Sequence, residues 1–180
     1  MTDQDLEKLR YPIGRYSRPA EITPELRQER LAIIESFPER LKKEVENLSD
    51  EQLDTPYRPD GWTIRQVVHH CADSHLNAYT RLKLALTEEK PTIKPYLEAW
   101  WAELPDSALP VEHSLKLQEG LHTRWAYLLR SLSPEDLARS FTHPEQKRET
   151  RLDGLIVLYG WHCEHHLAHI TTTKQAQHWT

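Results

Sequence analysis

Four histidines stand close together near the end of the chain, in the stretch LYGWHCEHHLAHIT from Leu158 to Thr171. His162 and His166 are four residues apart, a spacing that places two side chains on the same face of a helix, one above the other. Two imidazoles in this arrangement can share one metal ion, as in the His-x-x-x-His element of zinc proteases. That protease element has a glutamate directly after its first histidine, whereas this chain has Cys163 there. The spacing therefore indicates a metal site, and one that is not of the metalloprotease type.

The alternative is that these histidines are core residues that hydrogen-bond to carbonyl or carboxylate oxygens. On a helical wheel, the apolar stripe of this segment consists of Leu155, Tyr159, His162, His166, His169 and Thr173. Glu164 points to the opposite side, where we expect solvent, and His165 lies at the flank of the stripe. The histidines thus follow the buried face. Because buried imidazoles are costly unless their polar atoms are satisfied, we interpret the pair as metal ligands.

A usable site needs a third ligand from another helix, and residues 61–79, GWTIRQVVHHCADSHLNAY, offer three more histidines. His75 lies in the middle of the apolar stripe, so periodicity favours it as the most buried. His70 lies at the edge of the stripe, and His69 projects from the other flank. The polar strip beside His70 consists of Ser74, Asn77 and Arg81. His122, farther along the chain, is a fourth candidate, although a core position is the commoner explanation for it. Spacing alone does not choose among these histidines.

Four long segments with an apolar period of about 3.6 residues predict an all-α protein folded as a four-helix bundle. Thr23 and Pro24 start the first helix as N-cap and first helical residue, and Pro38 is expected to kink or split it. Thr63 and Gln66 form a capping box at the start of the second helix. The third and fourth helices are predicted over about residues 111–132 and 152–176.

The connections and the termini complete the predicted organisation. We expect a single domain over residues 1–180, with residues 1–22 as an extended N-terminal arm. The segment THPEQKRET, residues 142–150, is predicted to be a loop. Cys71 and Cys163 are predicted to be reduced, small core residues rather than a disulfide scaffold.

The overall charge and the apolar content exclude several classes of function. The formal net charge is −5 and there is no basic stripe, so we expect no nucleic-acid partner. There is no apolar run of the roughly 20 residues that a membrane span needs, and no apolar leader at the start of the chain. The sequence therefore predicts a cytoplasmic protein with no membrane partner.

The two histidine-containing stretches resemble the two metal motifs of the DinB superfamily. Within it, the chain is most similar to the YfiT group of metal-dependent hydrolases, which is linked to bacillithiol transfer. YPIGRY and LDTPYRPDGWTIRQVVHH add to a resemblance that covers about residues 11–179. The family pattern has one histidine just before a short apolar-Ala-Asp turn, which matches His70, and a His-x-x-x-His pair, which matches His162 and His166. Cys71 stands in this chain where an aliphatic residue is more usual.

The resemblance implies three metal ligands, His70, His162 and His166, that hold one divalent ion per chain, nickel or zinc. It also implies a four-helix bundle and a homodimer. Three neutral imidazoles with open coordination positions suit a Lewis-acid site, which can activate either water or a thiol. The sequence therefore predicts a metal-dependent hydrolase of a small-molecule substrate. The alternatives are an S-transferase for a low-molecular-weight thiol, a metal-binding protein without catalysis, and a helical interaction module with histidines in its core.

No general base is evident from the sequence, so the catalytic residues stay unknown at this stage. The polar residues that share the helix of His70, and that are candidates for orienting water or substrate, are His69, Asp73, His75, Asn77 and Arg81. A solvated position is the commoner explanation for Asp73 and Arg81.

Overall fold

The apolar stripes of the sequence become four long helices, which shorter elements connect. The computed structural model describes residues 2–145 and 147–179. Its helices are α1 (Asp3–Arg10), α2 (Pro24–Val45), α3 (Asp50–Leu53), α4 (Ile64–Thr87), α5 (Glu98–Trp101), α6 (Glu112–Arg130), α7 (Pro134–Ala138) and α8 (Leu152–Ala176), with a 3-10 helix at Pro105–Ala108. Two short strands, β1 (Ser140–His143) and β2 (Arg148–Arg151), pair antiparallel.

The four long helices form a bundle in which α2 and α4 each pack against both α6 and α8. Around the bundle the order is therefore α2, α6, α4, α8, and the predicted four-helix bundle is confirmed. The largest side chains that are fully buried in its core include Ile34, Phe37, Leu82, Trp125 and Ile156. Within the described residues, no helix is both long enough and apolar enough to cross a membrane.

The capping signals read from the sequence fix the starts of two bundle helices. The Oγ1 of Thr23 accepts a hydrogen bond from the backbone N–H of Leu26 at 3.2 Å, and Pro24 is the first residue of α2. At the start of α4, the N–H of Gln66 donates to the Oγ1 of Thr63 at 3.1 Å, and the N–H of Thr63 donates to the Oε1 of Gln66 at 2.9 Å. This capping box satisfies two otherwise unpaired donors at the start of the helix that carries His70.

Pro38 does not split the first long helix, because α2 is continuous from Pro24 to Val45. Of the two predicted outcomes, a kink or a split, the split does not occur. Proline has no N–H, so Pro38 cannot donate to the carbonyl of Ile34 four residues earlier. A side chain from α6 supplies a donor instead, since the Nδ1 of His122 lies 2.5 Å from the oxygen of Ile34. Tertiary contact thus satisfies an acceptor that the proline left free.

Two connecting segments differ from their predictions. Residues 3–10 of the predicted extended arm are helical, because Thr2 and Asp5 form a capping box at the start of α1. Most of the predicted loop over residues 142–150 belongs to the β1–β2 hairpin. The hairpin is anchored from elsewhere in the chain: Thr142 receives the N–H of Ile93 at 3.0 Å and donates its own N–H to Pro91 at 2.9 Å. Local periodicity does not encode such distant partners.

Candidate metal centre

Three histidines from α4 and α8 meet where these two helices face each other. One ring nitrogen from each of His70, His162 and His166 lies within 4.8 Å of the others. The ring centroids are 4.4 Å apart for His162 and His166, and 4.8 Å for His70 and His166. We call these three residues the first histidine group. They are the three that the resemblance implied as metal ligands, and the structure brings them together.

Burial keeps the first histidine group neutral at pH 7. Desolvation lowers the pKa of His70 to about 4, and it lowers the pKa of His162 and His166 well below the ordinary value of 6.5. A neutral imidazole retains one nitrogen lone pair, which is the form that binds a metal ion. Three such rings around one point form a nitrogen donor set that fits a divalent transition ion.

A chain of hydrogen bonds leads from the first histidine group into the core. The Nδ1 of His162 lies 3.1 Å from the Nε2 of His75, and the Nδ1 of His75 lies 2.8 Å from the Nε2 of His122. The chain ends at the carbonyl of Ile34, which can only accept, so His122 must donate from Nδ1. With neutral rings, His75 and His162 must then also carry their protons on Nδ1. We call His122, His75 and His162 the histidine chain.

The histidine chain fixes the tautomer of a candidate ligand. Because the proton of His162 is on Nδ1, its Nε2 carries the lone pair that can bind a metal ion, and in this structure it accepts a hydrogen bond from the Oγ of Ser74 at 3.3 Å. Hydrogen bonds of this kind to the second ring nitrogen are typical of metal-binding histidines, since they set the orientation and the tautomer of the ring. The carbonyl that Pro38 leaves free is the origin of this order.

The other histidines that the sequence raised lie outside the first histidine group. His75 is fully buried, as its position in the stripe predicted, but both of its nitrogens are used within the histidine chain. His69 points toward the 3-10 helix side, where its Nε2 donates to the carbonyl of Leu109 at 2.9 Å and its Nδ1 accepts from Ser114 at 2.7 Å. These bonds explain why two buried histidines beside a metal-type motif need not be ligands.

A second histidine group overlaps the first and was missed in the sequence. It consists of His165, His166 and His169, whose ligand-capable atoms also lie within 4.8 Å of one another. The Nδ1 of each is buried without a hydrogen-bond partner among the described residues. The Nε2 of His169 donates to the carbonyl of Arg10 at 3.1 Å, which leaves its Nδ1 unprotonated. The repeated four-residue spacing between His165 and His169 was the signal that could have revealed this group.

Residues of the flanking segments cover the second histidine group. The ring of His165 stacks on Trp161 at 4.4 Å, and the ring of His169 stacks on Tyr57 at 4.0 Å. Burial lowers the pKa of His165 to about 3 and that of His169 to about 4, so both rings are neutral at pH 7. His165 is therefore a buried residue, although the helical wheel placed it at the flank.

A cavity of about 590 Å³ lies against the first histidine group, and this size suits a small molecule. Its polar lining includes the hydroxyls of Ser74 and Tyr159, which lie 3.3 Å apart. Arg81 also lines it, but Asp73 and Asn77 do not. A larger groove of about 770 Å³ lies between α2 and α6. Its lining contains no residue of either histidine group.

Two further side chains near the site carry structural roles. Glu164, which we expected at the surface, is half-buried and forms a bidentate ion pair with Arg40 of α2. The Nη2 of Arg40 lies 2.9 Å from the Oε2 of Glu164. This expectation is wrong because α2 covers the side of α8 that the wheel assigned to solvent. Cys71 and Cys163 are free and fully buried, and burial raises the pKa of both thiols.

Comparison with known proteins places this architecture in a family. The model of the DinB superfamily matches residues 33–170. A protein of Bacillus mycoides, provisionally named a metal-dependent hydrolase, is 52% identical over 174 residues, which are 97% of this chain and 100% of the relative. The structure of YfiT from Bacillus subtilis, described as a probable metal-dependent hydrolase with an unusual four-helix bundle topology, superposes with a TM-score of 0.93. Its sequence identity is 47%, and the match covers 96% of this chain and 99% of YfiT.

A more distant structure shares the fold alone. The mycothiol-dependent maleylpyruvate isomerase superposes with a TM-score of 0.63 at 17% identity, over 78% of this chain and 59% of that protein. The family model, by contrast, spans both the His70 segment and the His162–His166 segment. The matched range, the similar relatives and the bundle topology agree, and the chain belongs to the DinB superfamily.

Proposed function

We propose that the protein is a metal-dependent hydrolase that acts on a small molecule and holds one divalent ion per chain with His70, His162 and His166. The observation that carries this proposal is the convergence of three neutral imidazoles from two helices at the wall of a cavity. The names of close relatives support the same class of activity. Nickel or zinc suits three nitrogen donors.

The residues of this chain have distinct tasks in the proposed reaction. When bound, a divalent ion supplies Lewis acidity, which lowers the pKa of a water molecule or a thiol held beside the substrate. The histidine chain orients His162, and the ring of Trp62 packs against His70 at 4.6 Å. Tyr159 keeps the proton on its Oη at neutral pH because burial raises its pKa. Its hydroxyl donates to the backbone carbonyl of Ser74 at 3.3 Å, and the Oγ of Ser74 lies 3.3 Å from the Nε2 of His162, so both hydroxyls line the cavity as part of this hydrogen-bond network.

The first test is elemental analysis of untagged protein that has been purified without chelator. We expect about one nickel or zinc ion per chain in the wild type and in the control His113→Ala, because His113 is exposed at the start of α6. We expect loss of the ion in His70→Ala and in His166→Ala. Full metal content in both of these variants would overturn the proposed site.

The second test separates hydrolysis from its alternatives. Metal-loaded protein is incubated with activated esters and amides, and separately with a thiol and a bimane electrophile. We expect faster hydrolysis in the wild type than in His70→Ala. Acceleration only with the thiol would replace the hydrolase by a thiol S-transferase, and a stoichiometric ion without either activity would favour a non-catalytic metal-binding protein. The single domain, the homodimer and the cytoplasmic location stay predictions.

A further inference from the structure

Three arginines, Arg10, Arg58 and Arg81, line the cavity beside the first histidine group. Within residues 2–145 and 147–179, none of them forms an ion pair with a carboxylate, although the chain as a whole carries a formal net charge of −5. Arginines that face a cavity without a carboxylate partner leave charged donors available to a ligand.

The charges of the cavity lining are unevenly distributed. Two carboxylates, Glu98 and Glu145, also line the cavity. The guanidinium of Arg81 lies 5.9 Å from the centroid of the Tyr96 ring, and the charges of Glu98 and Arg81 both act on the Tyr96 phenol. The charges of Glu145 and Arg81 likewise both act on His143. Carboxylates therefore accompany Arg81 in the cavity lining.

Arg10 and Arg58 lie beside His169. The carbonyl of Arg10 accepts the Nε2–H of His169 at 3.1 Å, and the ring of Tyr57 stacks on His169 at 4.0 Å. The guanidinium of Arg58 lies 5.3 Å from the centroid of the Tyr57 ring, and its positive charge helps to lower the pKa of His169. Among the described residues neither Arg10 nor Arg58 forms an ion pair with a carboxylate, so the lining beside His169 offers two cationic groups to a ligand.

The guanidinium of Arg58 is held in place by the protein. Its Nη1 donates to the carbonyl of Pro59 at 2.8 Å, and its Nε donates to the hydroxyl of Tyr57 at 3.3 Å. These bonds use two of the five N–H donors, and the others have no partner in the part of the chain that the structure describes. A guanidinium with a fixed orientation matches the planar, two-oxygen geometry of carboxylate and phosphoryl groups.

We propose that the substrate carries an anionic oxygen group, a carboxylate or a phosphoryl group, that binds Arg10 and Arg58, and that its reacting bond lies at the first histidine group. The assignment of the reacting bond rests on the proposed function. The anion site itself does not, because it is made of side chains that need no metal ion.

The test is isothermal titration calorimetry at constant ionic strength with three probes: succinate, inorganic phosphate and the uncharged succinamide. The proteins are the wild type, Arg10→Gln, Arg58→Gln and the matched control Arg18→Gln, each in metal-free and metal-loaded form. Arg18 is an exposed arginine outside the cavity lining.

We expect succinate or phosphate to bind and succinamide not to bind. Arg10→Gln and Arg58→Gln should each weaken anion binding about tenfold or more, whereas Arg18→Gln should not change it. The tighter of the two anions identifies the substrate group.

The outcomes separate this proposal from the proposed function. Equal affinity for succinamide, or anion affinity unchanged in both Arg10→Gln and Arg58→Gln, would overturn the anion site, even if the metal content is normal. Loss of anion binding in these two variants would support the anion site; if the wild type in the same experiments also takes up no nickel or zinc on reconstitution, the metal centre is overturned while the anion site stands. Urea unfolding of each variant checks that the fold is retained.

Discussion

Replacing His75 with leucine removes the middle of the histidine chain while all three residues of the first histidine group stay in place. In the wild type, His75 bonds to His122 at 2.8 Å and to His162 at 3.1 Å. The substitution leaves the Nε2 of His122 and the Nδ1 of His162 without partners in the core. Each buried polar atom without a partner costs about 1–3 kcal/mol. We therefore expect the free energy of unfolding to fall by about 2–6 kcal/mol.

The same substitution should weaken metal binding, although His75 itself is not in the first histidine group. Without a partner on Nδ1, His162 is no longer confined to the tautomer with a free lone pair on Nε2. Loss of such a supporting hydrogen bond typically lowers metal affinity about 10- to 100-fold, which corresponds to about 1.4–2.7 kcal/mol of binding free energy.

Three measurements check this prediction. Competition with a chromophoric chelator gives the metal Kd, urea unfolding gives the stability, and nitrogen-15 NMR reports the tautomer of each histidine in metal-free protein. The control is His113→Leu, the same substitution at an exposed position, which should change none of the three. A metal Kd for His75→Leu within twofold of the wild-type value, with stability reduced, would refute a positioning role and leave His75 as a packing residue.

Two further predictions concern stability. For metal-free protein, the pKa of His70, His122 and His169 is about 4 in the folded state and near 6.5 when unfolded, so between these pH values the unfolded chain binds more protons. The free energy of unfolding should therefore fall as the pH is lowered from 6.5 toward 4. The fall is up to about 1.4 kcal/mol per pH unit for each histidine. Urea unfolding that is independent of pH over this range would contradict the prediction. Replacing Arg40 with methionine should lower the unfolding free energy by about 1 kcal/mol, because it leaves Glu164 half-buried without its partner in a pair that is still partly solvated. An increase in the urea midpoint of Arg40→Met would show that the pair does not stabilise the contact between α2 and α8.

The sequence predicts the bundle and one wall of the candidate site well, because both depend on local spacing. The apolar stripes and the capping signals at Thr23 and Thr63 are properties of short segments, and they place α2 and α4 correctly. The four-residue spacing of His162 and His166 likewise follows from helix geometry alone. These features need no knowledge of what packs against each helix.

The features that the sequence leaves open depend on contacts between distant segments. Periodicity correctly makes His75 the most buried histidine of α4, but only its two partners show that it supports a ligand rather than being one. The choice of His70 came from family resemblance, not from spacing. His165 is buried because Trp161 and Tyr11 cover its ring, and Tyr11 belongs to an N-terminal segment whose position no helical period encodes.

Pro38 has a consequence for engineering this protein. A proline inside a long helix is an obvious target for redesign, since most residues at that position would restore a backbone hydrogen bond. In this helix, however, a restored N–H at position 38 would compete for the carbonyl of Ile34, the acceptor that holds His122. A selection for thermal tolerance alone would then favour replacing Pro38. The same replacement would weaken the bond between His122 and Ile34 that fixes the proton positions in the histidine chain. Stability and metal affinity should therefore be screened together at this position.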